Sequence, residues 1–222
     1  SVFPDGSIAD YRSEITGDPD SVNIRKRQIN TRVADIRFIV DELERIQSGA
    51  LRHPLNGYLD LSRIGITGHS FGGSTAALVA DNDERVKAVS VIDGWMNPIP
   101  PNVIRDGIKQ PFLYMGRPSW VDSDYPSSPS IAETLHKNNR GPSHHITIKN
   151  TRHLNFCDAP LFTPIGKYLV EIGDINRKRS VELVNQLSLE FFDKYLRQKP
   201  SALLSGSKVV PEFIVAKTFE IE

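Results

Sequence analysis

The sequence lacks the features that mark several classes of protein. Among its 222 residues there is one cysteine, Cys157, so no disulfide can form within the chain. It has no apolar run of the roughly 18 residues that a membrane-spanning helix needs, so we expect no such helix. The 27 basic and 27 acidic residues give a formal net charge of zero, and without a basic excess we expect no nucleic-acid partner.

Metal-binding patterns are also missing. The histidines, the cysteine and the carboxylates do not recur at the short spacings typical of a metal site, so we predict no metal ion and no other cofactor. Hydrophobic residues nevertheless make up 39% of the chain, which is enough to build a substantial core. We therefore expect residues 1–222 to form a single globular domain.

Short apolar runs alternate with helical patterns along most of the chain. Four runs predict strands at Arg63–Thr67, Val86–Asp93, Pro111–Gly116 and His145–Asn150. Apolar spacings of three and four residues predict helices at Val22–Ser48, Gly72–Val79, Ile131–Asn139, Leu161–Ile172 and Arg179–Arg197. We expect residues 1–20 to be loop and residues 198–222 to form an irregular or edge-strand tail.

This alternation is typical of an α/β protein, in which a mostly parallel sheet is covered by helices on both faces. Ligands of such proteins bind beyond the carboxyl ends of the strands, so reactive side chains are expected directly after each strand. Ser70 lies there, in Gly68-His69-Ser70-Phe71-Gly72, between a predicted strand and a predicted helix. A serine on such a turn is lifted out of the sheet, and the N–H of Phe71 is placed to bind an oxyanion. We therefore predict that Ser70 is a nucleophile.

A serine hydroxyl needs a general base near neutral pH, and the expected chain order is serine, acid, histidine. Of the six histidines, His153 directly follows the carboxyl end of the last predicted strand. We predict that His153 is the base. The other five precede the serine, adjoin it, or lie within or at the start of predicted elements: His53, His69, His136, His144 and His145.

The acid has more than one candidate. Asp93 ends the strand that follows the serine helix, and Gly94 comes next. Asp122 and Asp124 follow the next strand, in a polar loop where many enzymes of this kind carry the acid. We favour Asp93 as the acid because it stands directly at the end of its predicted strand. Asp122 and Asp124 remain alternatives.

The ordered motifs "GITGHSFGG", "VIDGWMNPIP" and "ITIKNTRHLNFCD" resemble those of the plasma-type platelet-activating factor acetylhydrolase family, within the α/β-hydrolases. The similarity extends from about Asp5 to Leu196. Position by position, the resemblance implies that Ser70 is the nucleophile, Asp93 the acid and His153 the base. It also implies that Trp95 lines the substrate pocket.

The resemblance further implies calcium-independent hydrolysis of the acetyl or the short or oxidised acyl ester at the glycerol sn-2 position. In that family, several strands and a loop with a second oxyanion donor precede the segment that resembles "FPDGSIADYRSE". No such loop occurs in this sequence. We therefore expect the chain to be the C-terminal part of a longer enzyme, with a phospholipid or small ester as substrate.

Two other readings stay open. The chain could be a general carboxylesterase or polyester hydrolase of the same fold. Trp95, Trp120 and Phe156 are candidates for the apolar walls of its pocket, although aromatic residues near a sheet edge are more often part of the core. It could also be a binding module that has lost catalysis, although an ordered serine, aspartate and histidine argue against that. The basic runs Arg25–Arg27 and Arg177–Arg179 are candidates for contact with a lipid surface. The simpler interpretation, which we favour, is that these side chains are exposed to solvent at the starts of helices.

Overall fold

The computed structural model describes residues 3, 5–8, 15, 18–121, 123, 125–163, 165–168 and 170–215. Within them lie the helices α1 (Ser21–Gln47), α2 (Phe71–Asn82), α3 (Pro101–Asp106), α4 (Ser128–Asn138), α5 (Ala159–Phe162) and α6 (Arg177–Arg197). The strands are β1 (Ile64–His69), β2 (Val86–Ile92), β3 (Phe112–Gly116), β4 (Ser143–Ile148) and β5 (Phe213–Val215). Short 3-10 helices span Leu61–Arg63, His153–Phe156 and Gly166–Tyr168.

The described strands form one sheet in chain order, β1-β2-β3-β4-β5. Strands β1 to β4 are parallel, and β5 pairs antiparallel with β4. At the carboxyl edge His69 of β1 lies opposite Ile92 of β2, and Ile92 lies opposite Met115 of β3. The residues that follow these strands are therefore brought together at one edge of the sheet.

Two apolar cores cover the two faces of the sheet. Successive residues of a strand point to opposite faces. In β3, Phe112 and Tyr114 pack into the core formed with α1, α2, α3 and α4, whereas Leu113 and Met115 pack into the core formed with α6. Full burial of a side chain of this size stabilises the fold by about 1.5–3 kcal/mol. The sheet that carries the site is thus held from both sides.

The predicted α/β fold, with a mostly parallel sheet and helices on both faces, is confirmed. The predicted tail contains the edge strand β5. The single helix predicted at Leu161–Ile172 is wrong: α5 ends at Phe162, and only a 3-10 turn follows. Thr163 is extended, as expected for a residue before a proline, and this ends the helix. Helix α3, which starts with a proline at its first position, was not predicted.

None of the helices in the described residues combines the length and apolarity needed to cross a bilayer.

His145 makes the stability of this fold depend on pH. Its ring lies against Tyr114 and His136, and no described residue offers its Nδ1 a hydrogen-bond partner. Burial, and then the charge of His136, lowers the pKa of His145 from its ordinary value near 6.5 to about 4. The unfolded chain therefore binds the extra proton first, and stability falls as the pH drops from about 6.5 to about 4.

We expect a loss of about 3 kcal/mol across this range from His145. Urea unfolding at pH 7 and pH 4.5 measures it, and His145→Gln is expected to reduce the difference between the two values. NMR titration of the His145 ring checks the same point without a variant. A folded-state pKa near 6.5 would contradict the prediction.

Candidate active site

Ser70 occupies a sharp turn between β1 and α2. Its backbone φ of 58° and ψ of −123° are costly for a residue with a Cβ. The turn is held by backbone hydrogen bonds: Ser70 N–H donates to Ile92 O at 3.0 Å, and Ser70 O accepts from Gly73 and Trp95 N–H at 3.0 Å each. Residues of β2 and the loop after it thus fix the strained conformation. The serine hydroxyl is presented at the carboxyl edge of the sheet.

The glycines around the serine have different roles. A Cβ on Gly68 would overlap the carbonyl group of Gly72 and come within 2.8 Å of Gly73 N. A Cβ on Gly73 would meet Val91 at 2.9 Å, whereas a Cβ on Gly72 would meet nothing within 4 Å. The close approach therefore exists at Gly68, inside the motif, and at Gly73, one residue beyond it.

Gly68→Ala is therefore expected to destabilise the fold strongly, by about 3 kcal/mol or more, because the obstacle is backbone that cannot rotate away. Gly72→Ala is the matched control. It lies in the first turn of α2 with open space around it, so we expect no loss and a gain of about 0.5–1 kcal/mol. Chemical unfolding of both variants tests this. Equal stabilities would contradict the prediction.

His153 and Asp93 complete a hydrogen-bonded chain with Ser70. His153 begins the 3-10 turn after β4, and its Nε2 lies 3.0 Å from Ser70 Oγ. Its Nδ1 lies 2.6 Å from Asp93 Oδ2. A carboxylate only accepts hydrogen bonds, so Nδ1 carries the proton and Nε2 is free to accept from the serine. The structure brings together the three residues that the sequence singled out.

Asp93 is completely buried and has a φ of 40°, so its position is strained as well as enclosed. Its Oδ1 accepts a hydrogen bond from Arg117 N–H at 2.9 Å, and Arg117 Nε lies 3.4 Å from Oδ2. The Arg117 side chain is 7% exposed and lies 3.7 Å from Glu171 and 4.1 Å from the Trp120 ring centroid. Asp93 is therefore held by one backbone donor and one cation besides His153.

Arg117 was missed by sequence reasoning. It directly follows β3, which is the kind of position where reactive groups were expected, but its partner lies on another strand. The competing acids Asp122 and Asp124 lie outside the described residues.

His69, which adjoins Ser70 in the motif, packs against the base. Its ring centroid is 4.5 Å from that of His153, and its Nε2 lies 3.2 Å from His153 O. Burial, followed by the charge of His153, lowers the pKa of His69, so this ring is neutral at neutral pH. It can therefore sit beside a protonated His153 without repelling it.

His69, Asp93 and His153 also place potential metal-ligand atoms within 4.8 Å of one another, the one such group found among the described residues. These three residues are far apart in the sequence, so no short metal-ligand spacing indicated this group. Asp93 and His153 already share a hydrogen bond between Oδ2 and Nδ1. A metal ion bound through those two atoms would have to replace that bond.

A cleft of about 420 Å³ opens at Ser70 and His153. Trp95 lies on its wall, with its ring centroid 5.4 Å from Phe71 and 4.4 Å from Tyr125. Trp120 also lines the cleft. The full set of lining residues is Arg25, Ser70, Phe71, Trp95, Arg117, Trp120, Ser123, Tyr125, His153 and Glu171. Phe71 begins α2, directly after Ser70, so its N–H has no acceptor one helical turn earlier within the helix. Its role as an oxyanion donor stays a prediction.

Phe156 does not line this cleft. It is 4% exposed and belongs to the core formed with α6, so the core role, which the sequence favoured over a place in the pocket wall, is the one observed. Phe156 ends the 3-10 turn that begins at His153, after β4. Cys157 is half-buried, and its Sγ donates to Leu154 O at 3.4 Å.

A parallel sheet with a serine on a strand–helix turn, followed in the chain by an aspartate and a histidine, defines the α/β-hydrolase class. Within that class, the chain belongs to the family described as "Platelet-activating factor acetylhydrolase, isoform II", whose model matches residues 10–202. This match confirms the resemblance recognised in the sequence motifs.

Similar proteins carry related names. Platelet-activating factor acetylhydrolase of Cavia porcellus is 30% identical over 177 residues, covering 75% of this chain and 39% of that protein. A probable 1-alkyl-2-acetylglycerophosphocholine esterase of Arthroderma benhamiae is 29% identical over 168 residues, covering 69% of this chain and 43% of that protein. The chain thus spans less than half the length of these relatives.

A solved structure also resembles the fold. Ferulic acid esterase from Streptomyces cinnamoneus superposes with a TM-score of 0.72 and 26% sequence identity, covering 98% of this chain and 62% of the esterase.

Proposed function

We propose that this chain carries the catalytic residues of a serine hydrolase that cleaves the sn-2 acetyl or short or oxidised acyl ester of phospholipids like platelet-activating factor. The observation that carries the proposal is the hydrogen-bonded series from Ser70 Oγ through His153 to the buried Asp93, which opens into a cleft. The names of the relatives supply the substrate class.

In the first half of the reaction, His153 Nε2 takes the proton from Ser70 Oγ as that oxygen attacks the ester carbonyl carbon. Asp93 stabilises the imidazolium that forms, and Arg117 keeps Asp93 in place. The negative charge that develops on the carbonyl oxygen is bound by the N–H of Phe71. The bond to the glycerol oxygen then breaks, and His153 returns its proton to that oxygen, so the lysophospholipid leaves.

In the second half, a water molecule replaces the leaving group. His153 removes a proton from the water, and the resulting hydroxide attacks the acyl carbon on Ser70. The acid is released and Ser70 regains its proton. Side chains supply the nucleophile and the base, and the backbone N–H of Phe71 supplies an oxyanion donor, so we propose that the reaction is independent of calcium.

A general carboxylesterase is the second candidate. The similarity to a ferulic acid esterase favours it, as does a cleft with Trp95 and Tyr125 in its wall, because aromatic walls also suit aromatic acyl groups. Rates on platelet-activating factor, nitrophenyl acetate and a feruloyl ester separate the two. Turnover of the last two without acetyl release from the phospholipid would favour the general esterase.

The test of the main proposal combines labelling with turnover on the full protein. A fluorophosphonate probe is expected to add its mass to the peptide that contains Ser70 and to stop acetyl release from platelet-activating factor. Failure to label Ser70 would point to the non-catalytic binding module instead.

Contact with a lipid surface stays a prediction. The basic runs offer less free charge than their sequence suggested, because Arg27 pairs with Asp20 at 3.1 Å and Arg179 pairs with Glu212 at 2.9 Å. Pelleting with anionic vesicles tests the contact directly.

A further inference from the structure

Arg25 of α1 reaches the cleft that holds the serine. Its guanidinium carbon lies 5.7 Å from the ring centroid of Trp95, and its NH1 donates to Gln28 Oε1 at 3.1 Å. Its Nε is buried, and no described residue provides a hydrogen-bond partner for it. A buried donor without an acceptor is costly unless a ligand supplies one.

The other charged groups of the cleft are already paired. The Nε of Arg117 also has no hydrogen-bond partner among the described residues, but Arg117 lies between Asp93 and Glu171, so its charge is balanced. Arg27, the other arginine in the same basic run, is bound to Asp20. Within the described part of the chain, no carboxylate lies within ion-pair distance of Arg25. Among the described residues that line it, the cleft therefore presents one uncompensated cation, over the Trp95 ring.

Trp95 links this cation to the serine. Its backbone N–H donates to Ser70 O at 3.0 Å, and its ring lies against Arg25. In a glycerophospholipid, the phosphate is only a few bonds away from the sn-2 ester. An ester bound at Ser70 with its glycerol over Trp95 therefore directs its phosphate toward Arg25.

We propose that Arg25 binds the phosphodiester of the phospholipid substrate and selects for it over neutral esters. This inference rests on the proposed function. The planar guanidinium can donate two parallel hydrogen bonds to phosphate oxygens, and Nε is one of the donors suited to this arrangement. Burial against Trp95 strengthens the contact, because less water competes for the anion.

The test measures a ratio of two rates on the full protein. The substrates are platelet-activating factor and 1-alkyl-2-acetylglycerol, which has the same ester but no phosphate. Arg25→Gln is expected to lower the ratio of their kcat/KM values by about 10- to 100-fold. Arg25→Lys keeps the positive charge but cannot donate two parallel hydrogen bonds, so it should give an intermediate ratio. Lys26→Gln removes an exposed charge from the same turn and should leave the ratio unchanged.

An unchanged ratio in Arg25→Gln would overturn the proposal. This includes the case in which both rates fall equally because α1 or Trp95 has shifted.

Both tryptophans of the chain line the cleft, so their fluorescence reports binding independently of turnover. Glycerophosphocholine is expected to change the fluorescence of the Ser70→Ala protein, and Arg25→Gln should remove this response. An equal or stronger response to inorganic phosphate would overturn the assignment to a lipid headgroup.

If the wild-type protein released acetyl from neither substrate, the proposed function would fall, and the fluorescence titration alone would decide on Arg25. A response that depends on Arg25 would then support the phosphodiester site. A response that survives Arg25→Gln would overturn it.

Discussion

Ser70→Ala is expected to lower kcat for ester hydrolysis by about 10⁶-fold, because no other group in the cleft can form the acyl intermediate while hydrogen-bonded to His153. The neighbouring hydroxyl groups do not compensate. Ser74 donates to Trp95 O, and Ser123 donates to Trp120 O at 2.8 Å, so neither contacts the base. Acetyl release from platelet-activating factor measures the loss.

The variant is also expected to fold normally. Alanine keeps the Cβ and loses only a hydroxyl whose one hydrogen bond among the described residues is to His153, so the thermal midpoint should move by no more than about 2–4 °C. Ser70→Gly relieves the positive φ and should raise the stability by about 1 kcal/mol while remaining equally inactive. Ser130→Ala, an exposed serine on α4, controls for an unspecific effect of losing a hydroxyl. Near-normal turnover by Ser70→Ala would disprove the nucleophile assignment.

Asp93→Asn is the second large effect, with an expected fall in kcat of about 10⁴-fold. The amide has nearly the volume of the carboxylate, but it can donate to Nδ1 and so stabilise the other tautomer of His153. Nε2 would then carry a proton and could no longer accept one from Ser70. The charge that stabilises the imidazolium would also be lost.

The two alternative acids provide the comparison. Asp122→Asn and Asp124→Asn are expected to retain wild-type kcat, since the hydrogen bond to His153 Nδ1 is made by Asp93 at 2.6 Å. Unfolding curves separate catalysis from stability, because removing a buried charge beside Arg117 also costs stability. A large loss in either alternative variant, with Asp93→Asn still active, would move the acid to that loop.

Much of the fold follows from local patterns. The strands β1 to β4 are short, mostly apolar runs, of which β3 is buried throughout, and the long helices α1 and α6 have apolar residues at helical spacing. Their positions were therefore readable from the sequence. The failure at Leu161–Ile172 has a local cause too, in a proline that overrides the apolar spacing. Helix α3 is too short for its periodicity to be recognised.

The candidate site also has a part that the sequence predicts and a part that it does not. Ser70, Asp93 and His153 each follow a strand, and the carboxyl ends of parallel strands meet at one edge, so the sequence itself determined that these three would be neighbours. It also determined the turn at Ser70, because the glycines there allow backbone approaches that other residues forbid.

Only the tertiary structure decided what surrounds these residues. Arg117 lies beside Asp93, Arg25 comes from a helix before the first strand, and Phe156 turns into the core instead of the cleft. Such contacts join residues that are far apart in the chain. They depend on helix packing and on side-chain direction, and no local periodicity encodes either of them.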